Sequence, residues 1–160
     1  MDQLTTALFL ASRQGNVPVL QEIFKLINNV NVRDERGYTP LIIAAYNNQY
    51  EAVKALLYAG ADINATDGSG NTALMGACFK GHYEVAQLLI VNEANVNAVH
   101  GNGGTAMMFA VMFGRNNMID LLIDNGADLT LKDHRGIDVL EIAAQQHNEA
   151  AFTKLQRMAS

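Results

Sequence analysis

An alanine-rich apolar stretch and a leucine-rich apolar stretch follow one another in residues 34–66, and this order recurs along the chain. The two stretches contain Leu41, Ile43, Ala44 and Ala45, and then Val53, Leu56 and Leu57. The second set has the spacing of residues on one face of a helix. Because polar Asn47 and Asn48 separate the two stretches, the pattern predicts a short first helix and a longer second helix.

Turn and cap residues mark the ends of these two predicted helices. Gly37 suits the turn before the first helix, because glycine adopts a positive φ at little cost. Thr39 is placed to cap that helix, with Pro40 at its first position. Gly60 follows the second helix, where a left-handed residue is expected. Residues 34–66 therefore predict a turn and two helices.

Glycine also sets the period of the repeat. The turn glycines are 33 residues apart, and a threonine or aspartate follows each of them two residues later: Gly37, Gly70, Gly103 and Gly136, then Thr39, Thr72, Thr105 and Asp138. This frame divides the chain, without insertions, into residues 1–33, 34–66, 67–99, 100–132 and 133–160. One such unit cannot bury its apolar surface alone, so we predict that the five units stack.

The two terminal units depart from the central pattern in ways that suit the ends of a stack. In residues 1–33, Leu4 replaces the turn glycine, and Pro18 falls where the second helix should begin. In residues 133–160, Asp138 and Glu141 have the spacing of a capping box, and Gln156 replaces an apolar residue of the second helix. We predict that these units are the N-terminal and C-terminal caps.

Several segments of this frame resemble the ankyrin repeat. They are DERGYTPLIIAA at residues 34–45, DGSGNTALMGA at 67–77, Gly81-His82, and GADIN at 60–64. The resemblance covers essentially the whole chain. It implies a single domain over residues 1–160 with an all-α fold, a solenoid of helix–turn–helix units with projecting β-turn fingers. It also implies recognition of another protein rather than chemistry. The regular 33-residue spacing of the units, without insertions, is similar to that of the small stand-alone ankyrin proteins common in bacteria.

One row of positions in this frame is a candidate binding surface. After the first-helix alanines, the three central units place Tyr46, Phe79 and Met112, whereas the end units place the polar pairs Arg13-Gln14 and Gln145-Gln146. An apolar row between polar ends is typical of an interaction patch, in which aromatic residues are favoured anchors. The alternative is that these side chains fold back onto neighbouring units as core.

Further candidates surround this row. Lys80 and Phe113 directly follow two of its members, and the predicted finger tips contribute a rim of Arg36, Tyr38, Asn71, Asn102 and Arg135. Arg36 and Arg135 are candidates to pair with acidic groups of a partner. The fourth finger carries Gly101, Gly103 and Gly104, so we expect a nearly bare tip above a soft apolar surface, able to admit an inserted loop.

Composition and charge narrow the possible functions. The chain has 160 residues, 49% of them hydrophobic, which suits one folded domain. The net charge of −5 supplies no surplus of cations for a nucleic-acid backbone. No apolar run is long enough to span a bilayer. Residues 5–12 resemble a weak signal-peptide core, but Asp2 stands where positive charge belongs, so we predict no cleavable signal and a cytoplasmic location.

The residues that could support catalysis have structural explanations. Cys78 occupies the small buried position that Ala45 fills in the preceding unit, and His82 belongs to the repeat's own Gly-His step. Asp34, Asp67 and Asp133 recur at the repeat period, as turn residues do. The glycine-rich stretch 101–104 lacks the Lys-Ser/Thr ending of a phosphate loop. We therefore predict no enzyme activity, no cofactor and no metal site.

The sequence thus favours a non-catalytic module, monomeric in isolation, that binds another protein through a preorganised concave face. By resemblance, the module serves as an inhibitor or immunity protein of an enzyme or toxin. The alternative is a structural or chaperone-like adaptor that assists a membrane or redox enzyme.

Overall fold

The structure is a computed structural model that describes residues 1–159, in which there are ten helices and no strand. In chain order the helices are α1 (Gln3–Gln14), α2 (Val17–Phe24), α3 (Pro40–Tyr46), α4 (Tyr50–Tyr58), α5 (Ala73–Lys80), α6 (Tyr83–Val91), α7 (Ala106–Met112), α8 (Asn117–Asp124), α9 (Val139–Gln145) and α10 (Glu149–Ala159). Each segment of the 33-residue frame contains two of them. The predicted all-α fold is confirmed.

The helices form two layers. The first helices of the units pack on one another in chain order, from α1 through α3, α5 and α7 to α9. The second helices α2, α4, α6 and α8 pack in the same order but contact one another less extensively. Small residues such as Ala44 and Ala77, both fully buried, allow the first helices to approach closely. Leu56 and Leu89 fill the space between the two layers.

The predicted caps start and stop these helices. The Thr39 hydroxyl accepts a hydrogen bond from the Ile42 amide at 3.2 Å, and Asp138 accepts one from the Glu141 amide at 3.0 Å. Each cap satisfies an amide that has no partner within its helix. Pro18 lies in the first turn of α2, and Gly60 follows α4 with φ of +96°. The sequence-based cap assignments are confirmed at these positions.

The turns between units form the fingers. In the second unit, the Gly37 amide donates to the Asp34 carbonyl at 2.9 Å, and Asp34 Oδ1 accepts from the amides of Arg36 and Tyr38. Asp67 and Asp133 make the equivalent pairs of bonds in their own fingers. An aspartate at this position therefore holds the finger as an Asx turn.

Neighbouring fingers are also bonded through their backbones. The Gly68 amide donates to the Arg36 carbonyl at 3.1 Å, the Gly101 amide to the Ser69 carbonyl at 2.8 Å, and the His134 amide to the Asn102 carbonyl at 2.8 Å. The fingers are therefore held in a fixed row beside the first helices. We refer to the side formed by the fingers and by the exposed sides of the first helices as the inner face.

Candidate protein-binding face

The predicted row of Tyr46, Phe79 and Met112 lies at the ends of the first helices. Side chains of the following unit hold those ends in place. Nε2 of His82 lies 3.1 Å from the Tyr46 carbonyl, and Arg115 Nε donates to the Phe79 carbonyl at 3.1 Å. Gln49 makes the equivalent bond to the Arg13 carbonyl. These bonds satisfy carbonyls that a helix end leaves without a partner. The structural role predicted for His82 is confirmed.

The aromatic side chains of successive units contact one another along the inner face. The Tyr46 and Phe79 rings are stacked, with centroids 6.1 Å apart and planes 16° apart. Phe79 meets Phe113 edge to face at 4.6 Å, and Phe109 at 6.4 Å. Both arrangements are favourable for ring pairs. Lys80 Nζ lies 5.2 Å from the centre of the Tyr46 ring, within range of a cation–π contact.

These side chains are partly open to solvent. Tyr46 and Phe113 are each 43% exposed, whereas Phe79 and Met112 are half-buried. Met112 packs against the core, whereas the ring of the next residue, Phe113, contacts Phe79. The row of contacting rings is therefore Tyr46, Phe79 and Phe113, which we call the aromatic row.

A groove of about 470 Å³ lies beside the aromatic row. Its lining combines ring and aliphatic groups with polar finger residues, and includes Arg13, Arg36, Tyr38, Ile43, Tyr46, Asn71, Gly76, Phe79 and Phe109. Sequence reasoning did not single out Ile43, Gly76 or Phe109 as lining residues. A signal was present in the repeat frame, because these three residues occupy the same position of successive units and the middle one lacks a side chain.

The predicted rim residues have different surroundings. Arg36 and Asn102 are exposed, and Tyr38 is half-buried against the core. Asn71 is half-buried, and its side-chain amide donates to Asp67 Oδ2 at 3.2 Å. Arg135 donates from Nε and Nη2 to Asp133 Oδ2, at 3.0 and 2.8 Å, so its guanidinium is already paired within its own finger.

Several ionisable groups have shifted pKa values. Burial alone would raise the pKa of Asp133, but hydrogen bonds from the Arg135 side chain and from two backbone amides outweigh it, and the net shift is downward. Burial lowers the pKa of His82 and of His100. Burial raises the pKa of the Cys78 thiol to about 12, so this side chain is a neutral packing group at pH 7.

Within residues 1–159 the structure contains no group of three or more histidine, cysteine, aspartate or glutamate side chains placed to hold a metal ion. Over the same residues, none of the helices is long and apolar enough to cross a membrane.

Comparison with known families agrees with this architecture. The sequence profile for ankyrin repeats, in three copies, matches residues 1–67 and 60–133. The chain belongs to the ankyrin repeat family. Ankyrin repeats generally mediate protein–protein interaction and are typically non-catalytic, so family membership supports a binding role at this level.

Curated relatives share the repeat over short segments. This ankyrin repeat chain is 44% identical to ankyrin repeat and SOCS box protein 3 of Homo sapiens over 50 residues, which are 31% of the chain and 10% of that protein. It is 40% identical to ankyrin repeat domain-containing protein 29 of Danio rerio over 63 residues, 37% of the chain and 20% of that protein. These relatives are eukaryotic, so they do not support the resemblance to bacterial proteins.

A third relative carries an enzyme's name. The palmitoyltransferase akr1 of Aspergillus oryzae is 48% identical over 52 residues, which are 32% of this ankyrin repeat chain and 7% of the enzyme. The chain thus spans at most a fifth of the length of these relatives. A match of this extent reflects shared repeats and does not transfer enzyme activity.

Proposed function

We propose that this ankyrin repeat chain is a non-catalytic interaction module that binds a partner protein through its inner face. The observation that carries the proposal is the aromatic row, whose rings contact one another across three successive units yet leave Tyr46 and Phe113 each 43% exposed. Aromatic groups placed in this way present a large apolar area at little cost in conformational entropy on binding.

The proposed contact surface has a centre and a rim. At the centre are the aromatic row, Met112, and Lys80 above the Tyr46 ring. The rim consists of finger residues Arg36, Tyr38, Asn71, Asn102 and Arg135. Backbone hydrogen bonds between fingers and Asx turns within them fix these residues before binding, which supports recognition by a preorganised surface. Residues 1–160 act in this proposal as one domain.

The proposed partner is an enzyme or a toxin. The inner face would cover its active surface and thereby inhibit it. The test is a pull-down from the native organism with the wild-type chain and with a variant in which the three residues of the aromatic row, Tyr46, Phe79 and Phe113, are all replaced by Ser. We expect the wild-type chain to capture a partner and the triple variant to lose it, and the purified pair to show reduced partner activity.

A matched control uses a tyrosine on the other layer. Tyr58 lies on α4 and is 97% exposed, so Tyr58→Ser removes a comparable ring away from the inner face. This control should retain the partner. If the control loses the partner as the triple variant does, the binding surface is not the inner face. If the complex forms and partner turnover is unchanged, the chain is an adaptor rather than an inhibitor.

A further inference from the structure

The absence of one side chain creates a notch in the inner face. Gly76 occupies the position that Ile43 fills in the preceding unit and Phe109 in the following one. Both of these larger side chains line the groove on either side of Gly76. A Cβ atom at Gly76 would meet only the Tyr46 ring, at 3.6 Å, which is an ordinary contact distance. The gap is therefore open, with rings and an aliphatic side chain as its walls.

The walls of this notch are suited to an apolar side chain. Tyr46 and Phe79 stack on one another and both line the groove, together with Ile43 and Phe109. The volume of about 470 Å³ is typical of a pocket that receives a small ligand or a side chain with its flanking backbone. Concave apolar pockets of this kind hold the anchor residues of many protein partners.

Cations outnumber carboxylates in the lining of the groove although the whole chain carries −5. Arg13 and Arg36 line the groove, and neither belongs to an ion pair found within residues 1–159. Lys80 Nζ lies over the Tyr46 ring. The carboxylate that lines the groove is Asp67, and both of its oxygens accept hydrogen bonds from its own finger. These hydrogen bonds hold the carboxylate within its own finger.

Acidic side chains lie on both layers, and the fingers themselves carry Asp34, Glu35, Asp67 and Asp133. Each second helix from α4 to α10 has an acidic residue in its first turn: Glu51, Glu84, Asp120 and Glu149. The lining of the groove, by contrast, contains two cations and one carboxylate, and this local excess of positive charge favours an acidic ligand there. Three cations are too few for a nucleic-acid backbone, whose binding needs many phosphate contacts.

We propose that the notch over Gly76 receives one large apolar side chain of the partner, presented by a segment with acidic residues on both sides of it. This inference rests on the proposed function and specifies the chemistry of the segment. The apolar anchor would pack between the Tyr46–Phe79 stack and Phe109. The flanking carboxylates would pair with Arg13 and Arg36, which line the groove.

The test uses labelled peptide pools in place of the partner. Each pool fixes a central Phe and varies the flanking positions among Asp and Glu, among Lys and Arg, or among Ser, Gly and Asn. Binding is followed by fluorescence anisotropy at low and high salt. We expect the acidic pool to bind about tenfold more tightly than the neutral pool at low salt, and this preference to shrink at high salt. An acidic pool with Ser in place of Phe should lose binding.

Variants of the protein locate the site. Gly76→Leu should fill the notch and abolish binding of the acidic pool, and Arg13→Glu or Arg36→Glu should each remove most of the acidic preference. Lys54→Glu changes the charge equally on the outer layer, where Lys54 lies on α4, and should leave binding unchanged. Circular dichroism and urea unfolding check that each variant is folded. We expect all of them to fold, because these positions are exposed or half-buried.

Four outcomes would overturn the inference: no pool binds, the neutral or basic pool binds as well as the acidic pool, Gly76→Leu binds normally, or a DNA oligonucleotide competes equally. These outcomes are separable from failure of the proposed function. If a native partner is captured through the aromatic row but the peptides show no acidic preference, only this inference fails. Failure of the triple serine variant to affect partner capture removes the proposed function itself.

Discussion

Replacing Gly76 by Ala tests whether the notch is open space within an otherwise regular helix. Gly76 lies in the interior of α5, where Ala is favoured over Gly by about 1 kcal/mol. The added Cβ meets Cδ2 of the Tyr46 ring at 3.6 Å and the Tyr46 Cβ at 3.9 Å, both ordinary contact distances, so no repulsive contact opposes this gain. For a chain of this size, about 1 kcal/mol corresponds to a rise in Tm of roughly 2–4 °C.

The same substitution of glycine by alanine should have the opposite effect on stability at Gly37. Gly37 has φ of +82°, which costs a non-glycine residue about 1–2 kcal/mol, and its Cβ would lie 2.7 Å from the Gly68 amide nitrogen. That amide donates to Arg36, so the substitution also disturbs the bond between two fingers. We expect Gly37→Ala to lower the stability by about 2 kcal/mol or more.

Urea unfolding followed by circular dichroism measures both variants against the wild-type chain. The midpoint should rise for Gly76→Ala and fall for Gly37→Ala, with the slope unchanged in both. A fall in the midpoint for Gly76→Ala would show that the space above α5 is already occupied. Equal behaviour of the two variants would refute the reasoning from backbone geometry.

Three further predictions concern ionisable groups. The folded-state pKa values of His82 and His100 are lowered, so the unfolded chain binds more protons than the folded chain below about pH 6.5. The free energy of unfolding should therefore fall as the pH drops through that range. Replacing both histidines by Gln should reduce this dependence on pH, as measured by urea unfolding at several pH values. Asp133→Ala should cost about 2–3 kcal/mol near pH 7, because the buried carboxylate accepts bonds from two amides and the Arg135 side chain. The folded-state pKa of Asp133 is lowered, so the charge-dependent part of this contribution should begin to shrink below about pH 4 and be lost as the pH falls through the lowered pKa, and a difference that stays undiminished down to the most acid pH at which the chain is folded would contradict the assignment. Lys154→Ala removes a 2.7 Å ion pair with Asp120 between exposed side chains, and should change the unfolding free energy by less than about 1 kcal/mol at any salt concentration.

Local rules and the 33-residue period were sufficient to predict the helices and their ends. Thr39 and Asp138 cap their helices because their side-chain oxygens reach amides three residues later, a relation that is visible in the sequence itself. The placement of Gly60 after α4 follows from the same kind of local reasoning. These features depend on residues that are close together along the chain.

The details of the candidate site depend on relations that cross between units. The repeat register placed Met112 beside Phe79, but α7 ends at Met112, and the ring of the next residue, Phe113, reaches Phe79. Arg135 was a candidate for pairing with a partner, yet it reaches back two residues to Asp133. The groove requires Ile43, Gly76 and Phe109 from three different units, so no single segment of sequence displays it.

The one cysteine of the chain lies in the middle unit of the stack. Cys78 is fully buried on α5, and its thiol has a pKa of about 12. The thiolate attacks an alkylating reagent and displaces its leaving group, so labelling requires the central helices to separate and expose this sulfur. Fraying of α1 or α10 would leave Cys78 protected. The labelling rate therefore reports openings that reach the central repeat, and a partner bound across that repeat would slow it without any change in sequence.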